Sequence, residues 1–247
     1  NKGLEKEGHT MKLTDIHTHI LYGVDDGAQT LSDSMDMISE EWKQGVQDIF
    51  LTPHYGHKYG YVDRRVLEQR FQKIQQEASK HFPEINLYLG SELYYQSNTI
   101  QHLREGKALT MAGSKYVLVE FGTGDSYFDI FQAVHDMVYA GYLPIIAHIE
   151  RYDSIRNCMK AVRELMKSGA CLQINAQSIL ERFPYRKTLF CRKLLKEGLV
   201  YFIGSDCHDM ETRSPNLERA YRMLNKKEGQ QNKFGFYAKK VIEGSYI

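Results

Sequence analysis

Long apolar runs are missing from this 247-residue chain. Nothing in it approaches the ~18 consecutive apolar residues that a membrane-spanning helix needs. The opening stretch, "NKGLEKEGHTM", has no apolar core and so does not read as a secretory signal. Residues 1–11 read instead as a tag or linker remnant, leaving 12–247 to carry the fold. Cysteine is scarce and unclustered: Cys158, Cys171, Cys191 and Cys207 include no C-x-x-C pair, which excludes a thioredoxin motif or a zinc finger. Four such thiols with no targeting segment fit a reduced cytoplasm, each as a buried, inert side chain. An excess of either charge is also absent, with 32 basic against 31 acidic residues and a net charge of +1. That balance argues against a nucleic-acid footprint or a polybasic membrane patch.

What is present is a rhythm. Seven short runs rich in apolar, β-branched or aromatic residues read as buried strands: "MKLTDIH", "QDIFLTPH", "INLYLGSE", "YVLVEF", "YLPIIAH", "CLQIN" and "LVYFIGSD". Between them lie stretches with helical spacing, at 32–45, 64–82, 129–141, 154–169 and 187–198. Four of these five stop at a glycine (Gly45, Gly141, Gly169, Gly198), as helix C-termini often do. Ser32 or Asp33 is the expected cap of the first. A further helix at 215–226 opens with Pro215. Strand and helix alternate throughout, which implies parallel strands with helical crossovers. Seven units and no dividing linker, repeat or low-complexity stretch favour a single α/β domain closed into a (β/α)7 barrel. An open doubly wound sheet is the competing arrangement.

In parallel barrels the chemistry sits where strands end. Here the first strand ends at His17 and His19, the second at His54, the third at Glu92, the fourth at Glu120, the fifth at His148, and the seventh at Asp206 with His208 two residues on. Only the sixth, ending near Asn175, lacks a charged or imidazole group. One histidine at a strand end is commonly a hydrogen-bonded structural residue. Six of seven strands ending in His, Asp or Glu is a pattern. A carboxylate such as Glu120, directly behind an apolar run, is costly to bury unless it is paired or bound to metal. Asp26, in "VDDG", adds a ninth donor, with Asp25 as its competitor. Nine groups are too many for one ion and suit two or three, bridged by carboxylates. The donor set is nitrogen and oxygen without thiolate, which disfavours a structural zinc and fits Mn, Fe or Zn of a hydrolytic cluster.

The motifs "DIHTHILYGVDDGA", "TPH", "GSE", "AHIERY" and "SDCHDMETRSP" resemble the polymerase-and-histidinol-phosphatase (PHP) domain. More closely, they are similar to the manganese-dependent protein-tyrosine phosphatases of Gram-positive capsule and exopolysaccharide operons. The resemblance runs from about residue 12 to near the C-terminus. It implies a distorted (β/α)7 TIM-like barrel with a Mn2+ cluster of two or three ions. The positions matching that family's ligands are His17, His19, Asp26, His54, Glu92, Glu120, His148, Asp206 and His208. Asp206 is counted among the catalytic groups too, with Arg151 and Arg213 at the positions that hold phosphate. After Arg213 the chain reads "SPN", departing from the family's consecutive prolines. The implied substrate is phosphotyrosine in the tail of a bacterial tyrosine kinase, and the implied setting is regulation of polysaccharide assembly in the cytoplasm.

Rival readings remain at this level. A small-molecule phosphoesterase of histidinol-phosphatase type would use the same donors, whereas a metal-stabilised binding partner that docks on a kinase tail without turnover should have lost some of them, and the full set argues against it. Arg151 could instead pair with Asp153 or Glu150. Cys207 and Arg213 make C-x5-R, the spacing of cysteine-dependent tyrosine phosphatases. The intervening "HDMET" has no glycine to let backbone N–H groups curl around phosphate, and Asp209 and Glu211 would repel it. The tyrosines of "HYGHKYGY" and "LYYQ" either wall the substrate cleft or pack the loops. Oligomeric state has no signature here.

Overall fold

The computed structural model describes residues 12–56, 59–156, 158–181, 186–225 and 231–247. The segment read as a remnant, 1–11, lies outside these, as do His57 and Lys58 of the tyrosine-rich loop, Asn157, and Lys226 at the end of the helix expected at 215–226.

The strands are β1 (Leu13–Thr18), β2 (Val46–Leu51), β3 (His54–Tyr55), β4 (Asn86–Leu89), β5 (Glu92–Tyr94), β6 (Tyr116–Glu120), β7 (Leu143–Ile146), β8 (Cys171–Asn175) and β9 (Phe202–Gly204). Every ladder between them is parallel. The second and third expected strands are each broken in two. Pro53 has no N–H to give to a ladder. At Gly90 a Cβ would lie 2.8 Å from the Met111 sulfur. The breaks divide the wall into a three-stranded sheet, β1-β2-β4, and a six-stranded one, β3-β5-β6-β7-β8-β9. Since β2 runs on into β3 and β4 into β5, the two sheets form seven staves. The ring closes between β9 and β1. Thr18 bridges Cys207, Asp206 N–H donates to the His17 carbonyl at 2.9 Å, and His19 N–H donates to the Cys207 carbonyl at 2.9 Å. The Asp15 carboxylate ties the same seam, accepting from the backbone N–H groups of His17 and Ser205. Closure into a seven-stave barrel is therefore borne out, and the open sheet is not.

The helices are α1 (Leu31–Lys43), α2 (Arg64–His81), α3 (Thr99–Arg104), α4 (Tyr127–Tyr139), α5 (Met159–Lys167), α6 (Ala176–Leu180), α7 (Arg186–Lys196), α8 (Leu217–Asn225) and α9 (Gln231–Glu243). The four expected glycine stops all have positive φ, from 71° at Gly198 to 101° at Gly169. That left-handed conformation is the one a side chain would resist. The cap of α1 is neither Ser32 nor Asp33. Thr30 caps it, its hydroxyl accepting from Asp33 N–H while Asp33 accepts in return from Thr30 N–H, a reciprocal capping box. Helices α3, α6 and α9 fall outside the expected set. No helix among the described residues is long and apolar enough to cross a membrane.

Strand alternation sorts the core into two layers. On β6, Val117 and Val119 join the large cluster shared with the helices, whereas Tyr116 and Leu118 join a smaller cluster with Ile16, Phe50, Ile145, Cys171 and Phe202. The smaller cluster fills the barrel, and Ala238 and Val241 of α9 close it from below. The same alternation continued upward along β6 brings Glu120 to the mouth, and along β8 it brings Gln173 and Asn175. An apolar plug thus supports a polar rim. Thr30→Ala should lower unfolding free energy by about 1 kcal/mol, read from chemical denaturation; an unchanged midpoint would remove the capping box from the account.

Candidate metal centre

The polar rim gathers donors that are remote in the chain. His17 and His19 leave β1 with their Nε2 atoms 3.2 Å apart. Glu92 Oε2, at the start of β5, lies 3.3 Å from each of them. His54 Nδ1, at the start of β3, lies 3.0 Å from the same oxygen and 3.3 Å from Glu120 Oε1. His148 Nε2 sits 2.7 Å from Glu92 Oε1 and 3.7 Å from Glu120 Oε2. Asp206 Oδ1 is 3.6 Å from His17 Nε2 and 3.4 Å from His19 Nε2. Asp26 Oδ1 faces His208 Nε2 at 3.3 Å and His54 Nε2 at 3.5 Å. All nine expected donors therefore meet in one continuous cluster. Three subsets have ligand atoms within 4.8 Å of one another: His19, Asp26, His54 and His208; His17, His19 and Glu92; His54, Glu92 and Glu120. His19, His54 and Glu92 each belong to two of them.

These contacts are close, yet several are not hydrogen bonds. His54 Nδ1, Glu92 Oε2 and His208 Nε2 are buried and have no hydrogen-bond partner. Buried polar atoms without partners are rare and destabilising. Lone pairs aimed at shared points between nitrogens and oxygens are what divalent cations bind, so the residues present fit a cluster of such ions. Burial alone would raise the carboxyl pKa values of Glu92 and Asp206, but the neighbouring histidines, His17 foremost, hold both well below the usual range. Both oxygen donors are therefore charged at neutral pH.

Two of these residues have left-handed backbone: His148 (φ 32°) and Asp206 (φ 56°). Strain of this kind in side-chain-bearing residues collects at functional sites. The adjacent aspartates differ in position. The Asp25 side chain is buried behind His19, taking a 2.7 Å hydrogen bond from its Nδ1 and further bonds from His54 N–H and Gly27 N–H. Asp26 is 44% exposed and faces the other donors.

Sequence reasoning missed several supporting groups. Asp25 orients His19 and leaves Nε2 for the cluster, as carboxylates behind metal-ligating histidines do. Tyr59 donates to Asp26 Oδ2 at 2.7 Å and stacks on the His54 ring at 4.0 Å. The sixth stave contributes amides: Asn175 Nδ2 donates to Asp206 Oδ2 at 2.7 Å, and Gln173 Oε1 accepts from His148 N–H at 2.7 Å. The two arginines also converge on Asp206, Arg151 at 2.6 Å and Arg213 at 2.9 Å. Arg151 thus pairs with neither Asp153 nor Glu150: Asp153 pairs with Arg156, and Glu150 accepts from Asn175 N–H.

The C-x5-R reading does not survive. Cys207 alternates away from its neighbours Asp206 and His208, and its sulfur is fully buried 4.0 Å from Glu41 Oε1. Burial first, then the carboxylates of Glu41 and Asp15, push the thiol well above its ordinary pKa. A thiolate nucleophile is disfavoured there. Of the tyrosine-rich loop, Tyr59 reaches the site, while Tyr55 and Tyr61 pack with each other and with His102.

A parallel barrel carrying imidazoles and carboxylates at the C-terminal ends of its staves defines a metal-dependent hydrolase. A family model for capsular polysaccharide synthesis, CpsB/CapC, matches residues 13–241, and the chain belongs to that family. It is 32% identical to the tyrosine-protein phosphatase CpsB of Streptococcus agalactiae serotype III over 95% of this chain and 100% of the relative. It is 28% identical to the tyrosine-protein phosphatase YwqE of Bacillus subtilis over 89% of this chain and 86% of the relative. Among solved structures, one from work on B. subtilis YwqE and Streptococcus pneumoniae CpsB, described as unique metal-dependent tyrosine phosphatases, superposes with a TM-score of 0.88 at 26% identity, covering 95% of this chain and 96% of the other. The histidinol phosphate phosphatase of Lactococcus lactis shares the fold, with a TM-score of 0.57 at 16% identity over 87% and 93% of the two chains.

Gly27 offers a test of how tightly the site is built. A Cβ there would lie 2.1 Å from the His19 carbonyl oxygen, whereas one on Gly124 would meet nothing within 4 Å. Gly27→Ala should displace His19, lower bound metal by element analysis, and cut turnover by about 10²-fold. Gly124→Ala should leave metal content unchanged, and equal metal content in the two variants would show that the packing of Gly27 on His19 does not position the site.

Proposed function

We propose that this chain is a metal-dependent tyrosine phosphatase of capsular polysaccharide synthesis, hydrolysing phosphotyrosine on the tail of a bacterial tyrosine kinase. The observation that carries the reading is the convergence of nine imidazole and carboxylate donors on one mouth, seven of them in groups spaced for a metal ion and His148 and Asp206 in contact with those, with three buried donor atoms left without hydrogen bonds. The proposed ligands are His17, His19, Asp26, His54, Glu92, Glu120, His148, Asp206 and His208, and the proposed metal is Mn2+. Residues 12–247 act as one phosphatase domain. Four unpaired cysteines support a reducing cytoplasm as its compartment.

Bound divalent ions would supply Lewis acidity and an acidified water, so no protein nucleophile is required. The chain's own residues do the rest. Arg151 and Arg213 already turn their guanidinium groups towards the cluster, and a planar fork can bond two phosphate oxygens at once. They would hold the phosphoryl group in line and offset the charge that develops on its oxygens. Asp206 keeps both forks in place before substrate arrives. The departing phenolate has a pKa of about 10 and needs less protonation than a serine alkoxide. Tyr59, stacked over His54, supplies an aromatic wall for the substrate ring.

Chelation with EDTA should abolish hydrolysis of a phosphotyrosine peptide, and added Mn2+ should restore it. Arg151→Ala should lower kcat/KM by about 10²–10³-fold, while Cys207→Ser retains most activity. Near-total loss in the cysteine variant, or full activity in chelator, would overturn the mechanism. Faster turnover of histidinol phosphate than of the peptide, at matched metal, would reassign the substrate to the small-molecule class.

A further inference from the structure

The sixth stave is the only one without a charged or imidazole ligand, yet its inward side chains connect three that have them. Gln173 is fully buried and Asn175 nearly so. Four contacts run in series. Gln173 Oε1 accepts from His148 N–H at 2.7 Å and lies 3.3 Å from His17 Nδ1. Gln173 Nε2 donates to Asn175 Oδ1 at 2.9 Å, and Asn175 Nδ2 donates to Asp206 Oδ2 at 2.7 Å.

The direction of this series is set by its two ends. A backbone N–H can only donate, so the amide atom of Gln173 that meets His148 is the oxygen. The same oxygen faces His17 Nδ1, which must then carry the imidazole hydrogen. Gln173 is left with its NH2 towards Asn175, whose NH2 is in turn left for Asp206, and an ionised carboxylate can only accept. No donor meets a donor anywhere along the series. The outcome at one end is that, whenever the His17 ring is neutral, its hydrogen sits on Nδ1 and its Nε2 lone pair is aimed at His19 and Glu92. At the other end Oδ2 of Asp206 is held by Asn175 from inside the barrel and by Arg151 from the mouth, so Oδ1, which also meets Arg213, is the oxygen that faces His17 and His19. Gly204 permits this spacing: a Cβ there would lie 2.7 Å from His17 Cβ and 3.1 Å from Gln173 Nε2.

We propose that Gln173 and Asn175 are positioning residues, a polarised amide relay that sets the tautomer of His17 and helps orient Asp206 so that His17 Nε2 and Asp206 Oδ1 face the metal cluster. The inference rests on the ligand assignments made under the proposed function. It adds residues that touch neither metal nor substrate. A buried amide pair that merely satisfies hydrogen bonds inside the barrel would support stability without dictating the tautomer of a particular ring.

Long-range 1H–15N correlation spectra of the metal-free wild-type protein, taken at a pH high enough for the ring to be neutral and with His17 assigned by its loss in His17→Gln, should show that ring protonated at Nδ1 and bare at Nε2. In Gln173→Leu the population should move towards the Nε2-protonated form. Chelator competition with Mn2+ should show affinity weakened by about 10–100-fold in Gln173→Leu and Asn175→Leu, and unchanged in the surface variant Gln132→Leu. An Nε2-protonated His17 in the wild type overturns the relay even if neither stave variant folds. So does unaltered Mn2+ affinity in variants with native circular dichroism. If His17→Ala and Asp206→Ala also bind Mn2+ as the wild type does, the ligand assignment itself fails. If they lose the metal while the two amide variants keep it, only the relay fails.

Discussion

The structure depends on one electrostatic arrangement: five imidazoles and four carboxylates drawn together where a barrel offers little water. Isolated charges in such a place would be costly enough to disrupt the fold or change protonation state. Here they neutralise one another in part, and the buried donor atoms that are left over define where cations belong. Everything else in the architecture keeps those groups at that spacing. The apolar plug of Ile16, Phe50, Leu118, Ile145 and Phe202 prevents collapse from below. The hydrogen bonds between β1 and β9 hold the first and last staves in register, so residues nearly 190 positions apart meet at the seam.

Much of this was legible in the sequence because alternation and strand ends are periodic signals. Glu120 follows "YVLV" and His148 follows "LPIIA", so their place at a rim could be read without coordinates. The glycine stops were legible for the same local reason. The supporting groups were not. Asp25 and Asp26 are chemically identical neighbours, and only the path of the loop decides which one lies behind His19. Gln173 and Asn175 are neutral, so they leave no mark in a search for charge at strand ends, although "CLQIN" alternates in a way that placed them inward. The breaks in the second and third staves depend on tertiary crowding at Gly90 and on Pro53, whose missing N–H was a signal passed over. Capping by Thr30 rather than Ser32 turned on a two-residue shift in where the helix begins.

Asp206 is the point where the separate functions of the site touch. One oxygen faces the histidines and the other takes hydrogen bonds from Asn175 and Arg151, while Arg213 approaches from the mouth. The left-handed backbone that brings it there is tolerated because Asp206 N–H bonds to the His17 carbonyl and its carboxylate is bonded on several sides. A residue so constrained joins the imidazole and carboxylate cluster to the two arginines.

The same segment shows why spacing by itself is a weak guide to chemistry. Cys207 and Arg213 stand at the interval used by thiol-dependent phosphatases, but three consecutive residues at a strand end cannot all face the same way. Asp206 and His208 take the inward side, which consigns Cys207 to a pocket lined by Glu41 and closed to solvent. In that pocket the thiol is held protonated by burial and by negative neighbours, the reverse of what a nucleophile requires. Arg213 approaches the site from a turn built on Asp209, whose carboxylate accepts from the N–H groups of Glu211, Thr212 and Arg213. The acidic residue that would repel phosphate from a curled loop therefore spends its charge on the backbone, and it is the turn so formed that aims the arginine at Asp206.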